Sequence, residues 1–224
     1  MRAFLAKGGK RMKNIVLFCT GISGSGKSYF IQNVLPINAF YNLKSATTRP
    51  MRDGEINGRE YYFRDEKYFE TEYFATKLWV NEAFWKPGVP KWMYGVPESE
   101  IFDHIGQNFT YDVIQPKYVR QMINWFYTKR LDNNYEFKIM WFQPMVNAKT
   151  IVKKRQNMPD DIKVRQTNTC NLEDFTAVGL EPDIIIQSDS QNRYTASVNG
   201  DGKILPNLTL SVLLLQYKNR INTK

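Results

Sequence analysis

The chain has 224 residues, 42% of them hydrophobic, and a formal net charge of +9 from 31 Lys and Arg against 22 Asp and Glu. Such a length and apolar content suit one compact α/β unit with an insertion, and no apolar run reaches the eighteen or more residues of a membrane-spanning helix. Two cysteines and a single histidine exclude a disulfide framework and a metal centre built on His and Cys, while the basic excess favours anionic partners such as nucleotides or nucleic acids.

Residues 1–13 contain Arg2, Lys7, Lys10, Arg11 and Lys13 with no acid, and lack the apolar middle of a secretory leader. They are expected to form a solvated basic extension rather than a nucleic-acid-binding arm, with Met12 a candidate native start and the cytoplasm the expected location. The run Ile15 to Thr20 then reads as a buried strand, and Gly21-Ile22-Ser23-Gly24-Ser25-Gly26-Lys27-Ser28 follows it directly. This G-x-x-x-x-G-K-S spacing, placed between a strand and a helix, is a phosphate-binding loop. Its glycines allow successive backbone N–H groups to turn toward phosphate oxygens, Lys27 can reach the β and γ phosphates, and the Ser28 hydroxyl can ligate magnesium. A chance glycine-rich turn would not need the whole pattern in that context. Gly21, Ser23, Gly24, Ser25, Gly26, Lys27 and Ser28 are therefore the expected triphosphate site, with ATP as the phosphoryl donor.

A helix is predicted from Lys27 to Val34, stopped by Pro36. From Ser45 to Val96 the texture shifts to charges, turn glycines and aromatics, which suits short antiparallel strands and a small helix inserted as a substrate-binding module, 45–96. Core texture returns with a strand from Phe109 to Ile114, a helix from Lys117 to Lys129, a strand from Phe137 to Phe142 and a helix from Asn147 through Arg155. This alternation predicts a parallel sheet in a three-layer α/β fold whose core comprises 14–44, 97–156 and 172–224. A polar stretch, 157–171, reads as a small lid, and Asp183 to Gln187 as a short buried strand. Asn199-Gly200-Asp201-Gly202 then joins Tyr194–Val198 to Lys203–Leu205 as a plain hairpin, the spacing of a calcium loop being absent. A closing helix is predicted from Leu208 to Ile221. Cys19 and Cys170 are read as plain thiols, and His104 as a surface or capping side chain.

The stretch Ser45-Ala46-Thr47-Thr48-Arg49-Pro50-Met51-Arg52-Asp53-Gly54-Glu55-Ile56-Asn57-Gly58-Arg59-Glu60-Tyr61 places two arginines three apart, hydroxyls before them and tyrosine after. Arginine forks match phosphate oxygens bidentately and hydroxyls fill the remaining lone pairs, so the set can hold a phosphomonoester. Taken alone it would better suit a solvated, charge-rich hairpin; the phosphate loop upstream reverses the reading toward a second phosphate site.

In this region the chain resembles the guanylate kinase family, whose pattern S-x-T-T-R-x-x-R-x-G-E-x-x-G-x-x-Y it matches from Ser45 to Tyr61. The resemblance covers about residues 14–188 and is strongest as far as Tyr94. It implies a P-loop nucleoside monophosphate kinase that uses ATP and Mg2+ to phosphorylate GMP or dGMP. It further implies that Ser45, Arg49, Arg52, Tyr61 and Tyr94 hold the acceptor phosphate, with Glu55 nearby, that Asp112 backs Ser28 at the metal, and that Arg155 and Arg165 close as lid arginines. With Lys27, the residues expected to act on the transferred group are Arg49, Arg155 and Arg165.

The departures concern the base. Family members read guanine with Glu in an E-x-A context and with Ser or Thr after Tyr-Gly, where this chain has Asn81, in Asn81-Glu82-Ala83, and Val96; Ile114 replaces a second core-strand acid. Leaving a buried guanine edge unpaired costs about 1–3 kcal/mol per group. Either Glu82 takes over the reading position or the acceptor is another, or a modified, nucleoside monophosphate. A non-catalytic binding module of the same family is a further alternative, disfavoured by the intact phosphate loop.

Overall fold

The computed structural model describes residues 13–22, 25–33, 35, 39–80, 92–113, 115–144, 170–188, 194–198 and 204–206. The first strand, β1 (Asn14–Thr20), is buried on both faces: Ile15, Leu17 and Cys19 point into one apolar cluster, Val16 and Phe18 into another. A strand with an unbroken apolar run, here Ile15 to Cys19, suits the middle of a sheet covered on both sides. Helix α1 (Lys27–Asn33) covers one face through Phe30. Helix α4 (Pro116–Thr128) supplies Val119, Met122, Ile123 and Phe126 to the other cluster, beside Phe175 of α5 (Leu172–Thr176). The result is the three-layer α/β arrangement that the alternating elements predict.

The strands of the main sheet are β2 (Tyr41–Asn42), β7 (Phe109–Val113), β8 (Tyr135–Pro144), β9 (Ile184–Ser188), β10 (Tyr194–Val198) and β11 (Ile204–Pro206) together with β1, in the order β11-β10-β9-β8-β1-β7-β2. From β2 to β9 all pairs are parallel, and β1 lies between β7 and β8. The C-terminal hairpin extends this sheet: β10 pairs antiparallel with β9 and with β11. The expected hairpin is therefore part of the core sheet. The turn 199–202 and the helices expected from Asn147 and Leu208 lie outside the described residues, as does most of the expected lid, of which only 170 and 171 are described.

A second sheet, in the order β4-β3-β6-β5, is built from β3 (Ala46–Thr47), β4 (Tyr62–Phe63), β5 (Phe74–Val80) and β6 (Trp92–Pro97). One face packs Ala46 and Met93 on Phe69 from α2 (Glu66–Thr71), whose first turn is capped by the Asp65 side chain accepting from the Tyr68 N–H. The sequence led us to expect antiparallel strands throughout this region. In the structure β3 pairs antiparallel with β6 but parallel with β4. The reason is the connection: residues 48–61 are long enough to carry the chain back to the same end, which a tight hairpin cannot do. Short elements β2 and α3 (Glu98–Phe102) were not anticipated; neither is long enough to show a period. Among the described residues no helix is long and apolar enough to cross a membrane.

Gly95 locks the second sheet. A Cβ there would lie 2.6 Å from both a Phe74 ring carbon and the Thr76 carbonyl oxygen, closer than any side chain tolerates. Replacing Gly95 by Ala should lower stability by about 1–3 kcal/mol, as overpacking does; urea unfolding of the purified variant checks this, and an unchanged midpoint would contradict it.

Candidate functional site

The loop after β1 is shaped by its glycines. Gly21 has φ 146°, and a Cβ on it would stand 2.6 Å from the Phe142 carbonyl oxygen of β8, so only glycine lets the chain leave the sheet at this point. Gly26 has φ 93°, and its carbonyl accepts from the Phe30 N–H at 2.9 Å as α1 begins. Lys27, 5% exposed, is folded back over the loop: Nζ donates to the carbonyl oxygens of Gly21 at 2.8 Å and Ile22 at 3.0 Å and lies 3.7 Å from Asp112 Oδ1. Ser28 Oγ donates to Asp112 Oδ2 at 2.9 Å. Asp112 reaches this position because β7 runs parallel to β1, with Asp112 opposite Cys19. Lys27, Ser28 and Asp112 thus form one cluster, which puts a cation, a hydroxyl and a carboxylate at the loop. Ser25 and Gly26 border it, whereas Ser23 and Gly24 lie outside the described residues.

A second cluster forms on the small sheet around Arg49, 3% exposed. Its Nη2 donates to both Glu55 oxygens, at 2.7 and 2.9 Å, and Nη1 donates to the Pro50 carbonyl at 2.7 Å. The Tyr61 and Phe63 rings each lie 5.5 Å from the guanidinium carbon, and Tyr61 meets Tyr94 edge to face at 5.7 Å. Arg49 Nε is buried and has no hydrogen-bond partner among the described residues. Glu55 also accepts from the Arg52 N–H at 2.8 Å. Its role in the fold is therefore plain: it neutralises and aims Arg49 and ties down the turn that carries Arg52. Burial by itself would raise the Glu55 carboxyl, but the hydrogen bonds from Arg49 and Arg52 and their charges outweigh it and hold the group below its ordinary value.

The two clusters are linked through Tyr111, immediately before Asp112 on β7. Its hydroxyl lies 3.1 Å from Thr76 Oγ1 of the small sheet. Thr76 Oγ1 in turn accepts from the Val96 N–H at 3.3 Å. Burial pushes the Tyr111 phenol up to about 12, so it stays a donor. Of the residues expected to bind the acceptor, Arg49, Glu55, Tyr61 and Tyr94 come together, with Arg52 attached through its backbone and Ser45 standing at the seam between the sheets. The Val96 side chain is fully buried in the main apolar cluster. Asn81, Glu82, Arg155 and Arg165 lie outside the described residues.

Sequence reasoning missed Thr76, Tyr111 and Phe63. One signal was available for Tyr111: a phenol inside a buried strand needs a hydrogen-bond partner, which implies a polar group arriving from elsewhere. The two thiols take no part. Burial, with Asp112 adding to it, pushes Cys19 up, and burial chiefly, then Asp174, pushes Cys170 up to about 12.

No family model matches the chain. Among curated proteins it is 33% identical over 91 residues to the guanylate kinase of Clostridium tetani, covering 41% of each chain. It is 34% identical over 99 residues to that of Carboxydothermus hydrogenoformans, covering 42% of this chain and 45% of the relative. With that of Sulfurimonas denitrificans it shares 42% identity over 75 residues, 31% of this chain and 36% of the relative. The chain thus spans less than half the length of these relatives. A solved guanylate kinase from Anaplasma phagocytophilum superposes with a TM-score of 0.44 at 16% identity, over 96% of this chain and 89% of that one.

The Glu55 carboxyl gives the site a pH signature. Because it is depressed in the folded chain, its pairing with Arg49 stabilises above the ordinary carboxylate value of 4.5 and is lost as acid protonates it. Thermal unfolding followed from about pH 7 down to about pH 3 should therefore show Tm falling more steeply for the wild type than for Glu55→Gln. Parallel curves would contradict this assignment.

Proposed function

We propose, from this kinship with the guanylate kinases and from the two clusters, that the chain is an ATP-dependent nucleoside monophosphate kinase acting on GMP or dGMP. The observation that carries the reading is Arg49: a guanidinium buried to 3% exposure, aimed by Glu55, flanked by Tyr61 and Phe63, and holding one buried N–H without a partner among the described residues. A loop that binds a triphosphate suits any ATPase, but a second arginine site prepared for phosphate suits a phosphorylated acceptor.

In this reading the loop backbone and Lys27 hold the donor phosphates. Lys27 is already desolvated and positioned by the Gly21 and Ile22 carbonyls, so it needs only to exchange those contacts for phosphate oxygens. Ser28 and Asp112 supply the hard oxygen donors that magnesium takes, and they stand within hydrogen-bond distance of each other. Bound there, the ion would neutralise charge on the donor phosphates. Ser45, Arg49, Arg52, Tyr61 and Tyr94 grip the acceptor phosphate, and Arg155 and Arg165 are assigned to the lid. An acceptor phosphate oxygen, anionic near neutral pH, forms the new bond to the γ-phosphorus while the bond to the β,γ-bridging oxygen breaks, and that oxygen keeps the electron pair on the departing ADP. No general base is needed, so the residues work by alignment and by charge neutralisation.

A second reading keeps the reaction and changes the base. Val96 offers no hydrogen bond where the family places Ser or Thr, and Asn81 stands where it places Glu, which favours a different or modified nucleoside monophosphate. Initial rates with ATP and a panel of ribo- and deoxynucleoside monophosphates separate the two. With the preferred acceptor, Lys27→Ala and Arg49→Ala should each lower kcat/KM by roughly 10²-fold or more, the usual cost of losing a preorganised charge. Turnover of both variants near that of the wild type would contradict the assignment.

A further inference from the structure

Outside the two phosphate clusters, one carboxyl group joins the sheets. Glu100 on α3 is 4% exposed, and three donors fill its oxygens. The Tyr41 hydroxyl, from β2 at the edge of the main sheet, donates to Oε1 at 3.0 Å; the Lys44 backbone N–H donates to the same oxygen at 2.9 Å. The Tyr62 hydroxyl, from β4 at the edge of the small sheet, donates to Oε2 at 2.8 Å. Tyr41 is itself pinned: its ring stacks on His104 at 3.6 Å and its hydroxyl accepts from Lys44 Nζ at 2.9 Å, while His104 Nδ1 lies 2.9 Å from the Glu100 carbonyl oxygen. Burial foremost, and then Glu100 itself, pushes both phenols up, Tyr62 to about 12, so both remain donors throughout the working range.

The neighbours of these donors in sequence give the clasp a meaning. Lys44 immediately precedes Ser45, and Tyr62 immediately follows Tyr61, the first and last residues of the run proposed to hold the acceptor phosphate. The Tyr62 N–H also donates to the Ser45 carbonyl at 3.0 Å, so β3 and β4 are joined where these residues stand. Whatever fixes positions 44 and 62 fixes the spacing of Ser45 and Tyr61. A joint required for stability alone would be served as well by apolar side chains, because burying a carboxyl is costly unless every oxygen is satisfied. Three directed donors on one carboxyl set an angle and a distance, which apolar contact does not.

We propose that Glu100 is a positioning residue for the acceptor nucleotide: by holding Lys44 and Tyr62 together it sets the separation of Ser45 and Tyr61 around the acceptor phosphate. This rests on the kinase reading above. It assigns Glu100 no contact with either nucleotide and no part in holding ATP.

The test compares wild type, Glu100→Leu, Glu100→Gln and Tyr62→Phe in initial-rate assays with ATP and GMP or whichever monophosphate the wild type accepts, with Tm recorded for each. Glu100→Leu and Tyr62→Phe should raise KM for the monophosphate about tenfold or more while leaving KM for ATP within about twofold, since misplacement of binding groups acts on the substrate they hold. Glu100→Gln, which keeps the size and an accepting oxygen, should recover most of the loss. If Glu100→Leu fails to fold, Tyr62→Phe carries the same expectation. An acceptor KM unchanged in Tyr62→Phe, or both KM values rising together with a fall in Tm, would overturn the proposal while leaving the kinase reading intact. A wild-type enzyme that transfers phosphate to no monophosphate would overturn the kinase reading first, and this inference with it.

Discussion

Everything at the glycine-rich loop depends on β1 being wedged between β7 and β8 with apolar side chains on both of its faces. A strand held that way cannot slide or tilt without exposing one cluster or the other, so its carboxyl end is a fixed point. The chain leaves that point through Gly21, where the β8 backbone leaves no room for a side chain, and returns as α1 carrying Lys27 and Ser28. The parallel register brings Asp112 alongside from β7. The polar cluster is thus set by apolar packing that has no chemistry of its own.

The small sheet solves a different problem. It holds one cation deep in the protein, and a buried charge is stable only when paired and hydrogen-bonded. Glu55 supplies that pairing for Arg49, and Tyr61 and Phe63 flank the guanidinium. The same region is fastened to the main sheet by polar contacts, Tyr111 with Thr76, and Glu100 with Tyr41, Lys44 and Tyr62. In the proposed kinase reading, directional fastenings suit two sheets that present two phosphate sites to each other at a set distance, and both include residues that adjoin the proposed sites.

How much of this was legible in the amino-acid sequence followed from how far apart the partners lie. The loop Gly21 to Ser28 and the run Ser45 to Tyr61 are contiguous, so their chemistry could be read from spacing. The strands β1 and β9 declared themselves through continuous apolar runs and β7 and β8 through segments rich in apolar residues, with ends displaced by one or two residues. The parallel pairing of β3 with β4 was hidden because two-residue strands carry no pattern, and the connecting segment 48–61 does not announce which way it returns. The Glu100 clasp was hidden for another reason: its partners come from positions 41, 44 and 62, and nothing local marks a helical glutamate as buried. Tyr111 could be read as a buried phenol in need of a partner, but that Thr76 is the partner depends on how the two sheets approach.

The central claim is that phosphate moves from a triphosphate held at Lys27 to a nucleotide held at Arg49, not to water. Following the label from γ-labelled ATP in the presence of GMP or dGMP tests this most directly. The account predicts label in the nucleoside diphosphate in step with ADP formation. Release of the label only as inorganic phosphate, with none of the panel of nucleoside monophosphates acquiring it, would contradict it.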